Sequence, residues 1–243
     1  MTEIIAHRGG AILWPENSLG AFRGAIAAGV DAVECDVHLS ADGEPMVMHD
    51  PTLDRTSNGR GPLAERSVAD LAGLRLIGAG GEGVPRLSDL LDLVAAGTGG
   101  IQIEVKADWQ GRADLPLLGK VLAALDRAGL RARTEVIVFE AEVAAAAVAA
   151  GGLRNVAWLF GPPMVRHIGL EGILAVARRT GVGMVETHES AMDAAMLAAL
   201  RGAGLRVGAW GANHAPAITR MLGLGLDAIA TDDPVLALSL RSR

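Results

Sequence analysis

An α/β fold, a TIM (β/α)8 barrel with a small inserted subdomain, is predicted by three observations. Short β-branched runs alternate strictly with Ala- and Leu-rich helical stretches, the pattern of a parallel sheet covered by helices. Eight such units fit a chain of 243 residues, a length at which barrels of this kind close as one domain. His7, Asp36, Lys106, Trp210 and Asp232 fall at or just past predicted strand ends, where a barrel carries its chemistry.

The strand candidates are 4–7, 32–37, 101–106, 135–139, 156–160, 183–187, 206–210 and 228–231. Helices are expected at 19–28, 87–96, 117–128, 141–149, 171–179, 192–203 and 215–222, with a last one from Pro234. Gly29, Gly129 and Gly225 precede strands and suit helix C-caps, which want positive φ. Asp232, ahead of Pro234, is expected to cap the last helix. The second strand is not followed by a helix. Residues 39–85 instead open with Asp42-Gly43 between apolar alternations, a hairpin signal. A polar loop at 52–61, a short helical piece near 68–74 and the glycine-rich run 78–83 complete the segment. That run lacks a preceding strand and a following helix, so it reads as a loop and not as a phosphate cradle. The chain is therefore expected to be a single catalytic domain, 1–243, with 39–85 inserted between the second strand and its helix and capping the barrel mouth.

Half the residues are apolar, and the formal net charge is −6, which argues against nucleic acid as a partner. Cys35 is the single cysteine, so no internal disulfide forms; it is expected to face the helix layer as a small buried residue. A basic leader and an apolar run of roughly 18 residues are both missing, so a cytoplasmic protein without stable membrane insertion is expected. Oligomeric state has no sequence signal here.

The chemistry gathers in three stretches: His7-Arg8, Glu34-Cys35-Asp36 continuing to His49-Asp50, and Glu104-Val105-Lys106. Residues i and i+2 of a strand share a face, so Glu34 and Asp36 point together, as do Glu104 and Lys106. A hairpin tipped by Asp42-Gly43 returns His49 beside Asp36. Glu34, Asp36 and Glu104 offer oxygen ligands only, which suits Mg2+ or Ca2+ better than zinc. The alternative is a metal-free cluster bridged to Arg8 and Lys106. His7 and His49 are general acid/base candidates, and Arg8 and Lys106 supply the charge that grips a phosphate. His38 lies one step further out on the same face. Phe139, Glu186, His188 and Trp210 are candidates for the substrate pocket, Trp210 either walling it or packing in the barrel. His167 and His214 are expected at the surface.

These residues resemble a known family, the glycerophosphodiester phosphodiesterases. The match runs through His7-Arg8-Gly9, Pro15-Glu16-Asn17-Ser18, Val33-Glu34-Cys35-Asp36-Val37, Ala41-Asp42-Gly43, His49-Asp50 and Leu53-Asp54-Arg55-Thr56. It continues through Val84-Pro85-Arg86-Leu87, Ile103-Glu104-Val105-Lys106, Ala209-Trp210-Gly211-Ala212-Asn213 and Thr231-Asp232-Asp233-Pro234. The resemblance implies a barrel with a small inserted subdomain. It implies a divalent ion on Glu34, Asp36 and Glu104, an acid/base pair in His7 and His49, and phosphate held by Arg8 and Lys106. The implied reaction is metal-dependent hydrolysis of a small glycerophosphodiester to sn-glycerol 3-phosphate and an alcohol, through a cyclic phosphate. Val138-Phe139 and Glu186-Thr187-His188 depart from the family pattern and bear on which alcohol leaves. Two enzyme alternatives are a phospholipase D-like (lysophospholipase D) hydrolase, which calls for a greasy rim around the mouth, and a metal-dependent sugar isomerase, which has no use for the phosphate clamp. A non-catalytic binding protein is a third, and it would normally have lost a member of the site.

Overall fold

The computed structural model describes residues 1–242. Nine strands run in order β1 (Glu3–Ala6), β2 (Ala32–Leu39), β3 (Pro45–Val47), β4 (Gly100–Val105), β5 (Thr134–Val138), β6 (Asn155–Phe160), β7 (Met184–His188), β8 (Arg206–Trp210) and β9 (Ala228–Thr231). All except β3 pair in parallel, and β1 closes the ring by pairing with both β9 and β2. The result is the predicted eight-stranded barrel. Helices α1 (Leu19–Ala28), α2 (Val68–Leu71), α3 (Leu87–Ala95), α4 (Leu115–Ala128), α5 (Ala141–Ala150), α6 (Pro162–Thr180), α7 (Ala194–Gly202), α8 (Ala215–Leu224) and α9 (Pro234–Arg241) surround it, with α2 lying in the insertion.

Strand alternation sorts the core into two. Val33, Cys35 and Val37 of β2 join Phe22, Leu90 and Trp158 in the large layer between barrel and helices. Each fully buried side chain of this kind stabilises the fold by roughly 1.5–3 kcal/mol. The opposite faces put Ile5, Ala32, Ile137, Ala157, Leu159, Met184, Ala228 and Ala230 into the barrel interior. Both faces of every barrel strand are thus covered, so β2 is buried along nearly its whole length although it carries Glu34, Asp36 and His38.

Two expectations need correcting. Asp232 does not cap the last helix. Asp233 is the N-cap, its side chain accepting from Leu236 N at 3.0 Å, because Pro234 takes the first helical position and leaves Asp232 on the strand end. The sixth helix starts at Pro162, well before residue 171. Pro162 and Pro163 suit a first turn, and Gly169 at φ +62 breaks the helix where the exposed first segment meets the packed second one.

The segment after β2 has a core of its own: Met46, Met48, Leu53, Leu63, Leu71, Leu76 and Val84. The hairpin register pairs Val37 with Val47 and His38 with Met46, and Met48 N donates to Asp36 O at 3.0 Å. That register delivers His49 to the barrel mouth.

Candidate active site

Four chain segments meet at the C-terminal end of the barrel. β1 runs into a tight turn, His7–Gly9, in which Arg8 is left-handed (φ 51, ψ 29). For a residue with a Cβ that conformation costs about 1 kcal/mol or more. It turns Arg8 N onto Glu34 Oε2 at 2.7 Å, which pins one carboxylate oxygen. Gly9 follows at φ +83, where an added Cβ would stand 2.8 Å from the Ala21 Cβ, so the turn seats directly on α1.

Glu34, Asp36 and Glu104 each present an oxygen within 4.8 Å of the others, and all three are buried. Asp36 is fully buried and pinned from three sides: Asn17 Nδ2 donates to it at 2.8 Å, Lys106 Nζ stands 2.8 Å away, and Arg8 Nε lies at 3.5 Å. Lys106 also bridges Glu104 at 2.7 Å. The Lys106 approach to Asp36 Oδ1 lacks hydrogen-bond geometry despite its short distance, so that oxygen and Glu34 Oε1 are buried without a hydrogen-bond donor. Burial alone would push the Asp36 carboxyl up, but Lys106 and Arg8 hold it well below the usual carboxylate range. Glu34 has no such neighbour; burial and the Asp36 charge push it up, and burial likewise raises Glu104. Three buried carboxylates with two orphaned oxygens make a donor set that could hold a hard divalent cation, and their all-oxygen chemistry fits one.

The histidines line the same pocket and are held alike. His7 Nδ1 lies 2.6 Å from Asp232 Oδ1, and His49 Nδ1 lies 2.7 Å from Asp50 Oδ1. In each ring Nδ1 is taken, which leaves Nε2 for chemistry. The two aspartates differ in their other partners. Asp232 accepts from the neutral Asn213 Nδ2 at 2.5 Å, whereas Asp50 is gripped at both oxygens by the Arg55 guanidinium at 2.7 and 2.9 Å. Burial lowers His7, but the Asp232 bond and the Glu34 charge outweigh it and the net shift is upward. Burial dominates at His49, and its net shift is downward.

The mouth opens into a cavity of about 140 Å3, lined by His7, Arg8, Glu34, His49, Glu104 and Lys106 on one side. Phe139, Trp210, Leu159 and Ile137 form an apolar wall, with Gln102 and Glu186 as polar lining. Trp210 therefore walls the pocket, with Phe139 edge-on at 6.4 Å. Asp36 lies beneath the lining. His188 is also outside it, packed edge-on against Trp210 at 4.6 Å with Nδ1 tied to Ser190 Oγ. His167 and His214 are exposed.

Several participants had no role in the sequence reading. His38 Nε2 contacts the His49 carbonyl at 3.0 Å and so holds the hairpin's return. Arg55 bridges Asp50 to Glu16, and Glu16 reaches Arg8 at 3.2 Å. Asn17 and Glu16 sit in the Pro15-Glu16-Asn17-Ser18 stretch, and Arg55 in Leu53-Asp54-Arg55-Thr56; those matches were the available signal. Among the described residues, no helix is long and apolar enough to cross a membrane.

Comparison with known proteins places this geometry. A glycerophosphodiester phosphodiesterase of Caldanaerobacter subterraneus subsp. tengcongensis is 36% identical over 111 residues, 44% of this chain and 46% of its own length. The probable glycerophosphodiester phosphodiesterase 1 of Mycobacterium tuberculosis is 44% identical over 68 residues, 28% of this chain and 25% of its own. The matched stretches span less than half of either relative. A solved Agrobacterium tumefaciens glycerophosphodiester phosphodiesterase superposes with TM-score 0.81 at 26% identity, each chain covered 100%. A second protein of that organism, provisionally given the same activity, reaches TM-score 0.96 at 28% identity, covering 100% of this chain and 98% of its own. Residues 7–236 match the model of the glycerophosphoryl diester phosphodiesterase family, so the chain belongs to that family.

Proposed function

We propose that the protein hydrolyses small glycerophosphodiesters to sn-glycerol 3-phosphate and an alcohol, with His49 as general base and His7 as general acid. The observation that carries this reading is one pocket lined by two Nδ1-anchored imidazoles beside a carboxylate triad flanked by Arg8 and Lys106. Glu34, Asp36 and Glu104 would hold the divalent ion, Mg2+ or Ca2+. When bound, it supplies Lewis-acid polarisation of a phosphate oxygen.

The unequal environments of the histidines support this division of roles. Asp50 shares its charge with Arg55, so it stabilises an imidazolium at His49 weakly; His49 is neutral at the start and takes the proton of the attacking hydroxyl. Asp232 has only a neutral amide beside it and keeps its charge for His7, which starts protonated and gives its proton to the leaving oxygen. Arg8 and Lys106 bind the non-bridging oxygens and stabilise the charge that builds on them in the transition state. The attacking group is the glycerol 2-hydroxyl, and water opens the cyclic phosphate in a second step. Residues 39–85 act as a cap on the mouth, contributing His49, Asp50 and Arg55 while folding on their own cluster.

The test is release of glycerol 3-phosphate from several glycerophosphodiesters, with and without EDTA. Full activity in EDTA overturns the metal assignment, and no release from any substrate overturns the reaction class. A substrate lacking the glycerol 2-hydroxyl that turns over undiminished overturns the intramolecular attack. One observation favours a second reading, the phospholipase D-like one. Ile12, Leu13, Ile77, Trp109, Phe139 and Met164 are all exposed on segments that follow strand C-terminal ends or belong to the insertion. Faster turnover of a lysophospholipid than of its deacylated counterpart would select that reading.

A further inference from the structure

Glu186 is a buried carboxyl that the proposed chemistry does not use. Its Oε1 accepts from Gln102 Nε2 at 2.7 Å, and the same nitrogen donates to Glu135 Oε1 at 2.7 Å. Both of these donations leave the Gln102 carbonyl oxygen buried and unpartnered. Glu135 has a cation within reach, Arg206 Nη1 at 3.9 Å, but Glu186 pairs with none among the described residues. Both Gln102 and Glu186 line the pocket, and they are only 1% and 2% exposed. The neighbouring strand makes space for this arrangement. Gly208 stands in register with Glu186, and a Cβ there would come within 2.9 Å of the Glu186 Cγ. A buried polar group without a partner is expensive. Here an unpartnered amide carbonyl and a carboxyl with no cation meet in one enclosed place beside the triad, in a space held open by a glycine.

We infer that Gln102 and Glu186 form the floor of a polyol subsite that receives the terminal hydroxyl of an unacylated glycerol, the 2-hydroxyl being left to His49. The inference rests on the proposed phosphodiesterase reading and fixes the direction in which the substrate lies. All glycerophosphodiesters share the glycerol end, so it fits the enclosed part of the pocket. The alcohol varies, so it fits the open part beside the exposed Phe139. A glycerol hydroxyl leaving water needs a new partner, and the Gln102 carbonyl and the Glu186 carboxyl supply an acceptor each. An acyl chain on that glycerol would have to lie against an amide and a carboxyl, so acylated glycerol is excluded.

Calorimetric titration with Mg2+ present tests the inference without turnover, using sn-glycerol 3-phosphate, methyl phosphate and a lysophosphatidic acid. Wild type is expected to bind glycerol 3-phosphate more tightly than either of the others. Glu186→Met should weaken glycerol 3-phosphate roughly fivefold to tenfold and leave methyl phosphate within about twofold. Glu186→Gln keeps hydrogen bonding where methionine cannot, so it should retain most of the affinity. An equal loss for both ligands, or an equal loss in both variants, overturns the subsite while leaving the phosphodiesterase reading intact. Lysophosphatidic acid binding as tightly as glycerol 3-phosphate overturns it too. If wild type binds no phosphate ligand, the reading of the whole site fails with it.

Discussion

Arg55 ties the two halves of the site together, and its removal is the most informative single perturbation. Its guanidinium donates to both oxygens of Asp50 at 2.7 and 2.9 Å and to both oxygens of Glu16 at 2.7 and 2.8 Å. Asp50 in turn orients His49, and Glu16 meets Arg8. One side chain from the insertion therefore positions a base candidate and a phosphate-binding candidate while lying outside the pocket lining. The Arg55 side chain is 46% exposed, so solvent screening keeps each ion pair near about 0.2–1 kcal/mol. Two bidentate pairs then give Arg55→Ala a stability loss of about 0.4–2 kcal/mol, and in a domain of this size each kcal/mol lowers Tm by roughly 2–4 °C. The effect on catalysis should exceed that. Asp50 becomes free to turn, and kcat is expected to fall about tenfold, the size of a misplaced acid/base group. There is also a signed effect on pH. Without Arg55, Asp50 lends its full charge to His49, the His49 pKa rises, and the acid limb of the kcat/KM profile moves to higher pH. Arg55→Lys keeps the charge but cannot grip two carboxylates bidentately, so it should fall between wild type and alanine. The assay is a kcat/KM profile across pH beside a melting curve. A lowered Tm with kcat and the acid limb both unmoved would refute the positioning role.

The bell shape itself carries a second prediction. The proposed mechanism requires neutral His49, whose pKa is lowered mainly by burial, and protonated His7, whose pKa is raised by Asp232 and Glu34 against the burial effect. Activity should thus rise as pH passes the lower His49 value and fall as it passes the higher His7 value; Asp232→Asn should move the falling limb to lower pH, and an unmoved limb would remove His7 as the acid. Glu34→Gln replaces a proposed metal ligand whose Oε1 has no donor in the folded protein, so binding of Mg2+ or Ca2+ should weaken roughly tenfold or more by calorimetry, as charge count sets such affinities. Unchanged affinity would place the ion elsewhere. Gly208→Ala puts a Cβ within 2.9 Å of both Glu186 Cγ and Met184 Cε, and overpacking of that kind should cost about 1–3 kcal/mol in a denaturant melt. A neutral Gly208→Ala would mean that the interior relaxes around it without strain.

What was legible in the sequence had local physical causes. The barrel followed from period-2 and period-3.6 patterns that each element carries on its own. Glu34 and Asp36 could be aimed together because a strand fixes i and i+2, and His49 could be brought back because Asp42-Gly43 sets a hairpin register. Asp232 shows where that logic stops. In sequence it is one of two aspartates ahead of a proline, and either could be the cap. Which one caps depends on where β9 ends, and β9 ends where it does because Thr231 pairs with Ala6 across the closure of the barrel. That closure also brings Asp232 to His7, 225 positions away. The Glu186–Gln102–Glu135 cluster is nonlocal in the same way: β4 and β7 are not neighbours in the sheet, and their side chains meet only across the interior. The reacting groups come from short stretches with strong local order, so pattern reading finds them. The groups that orient them and shape the pocket come from closure and shear of the whole barrel, so residue roles of that kind require the folded structure.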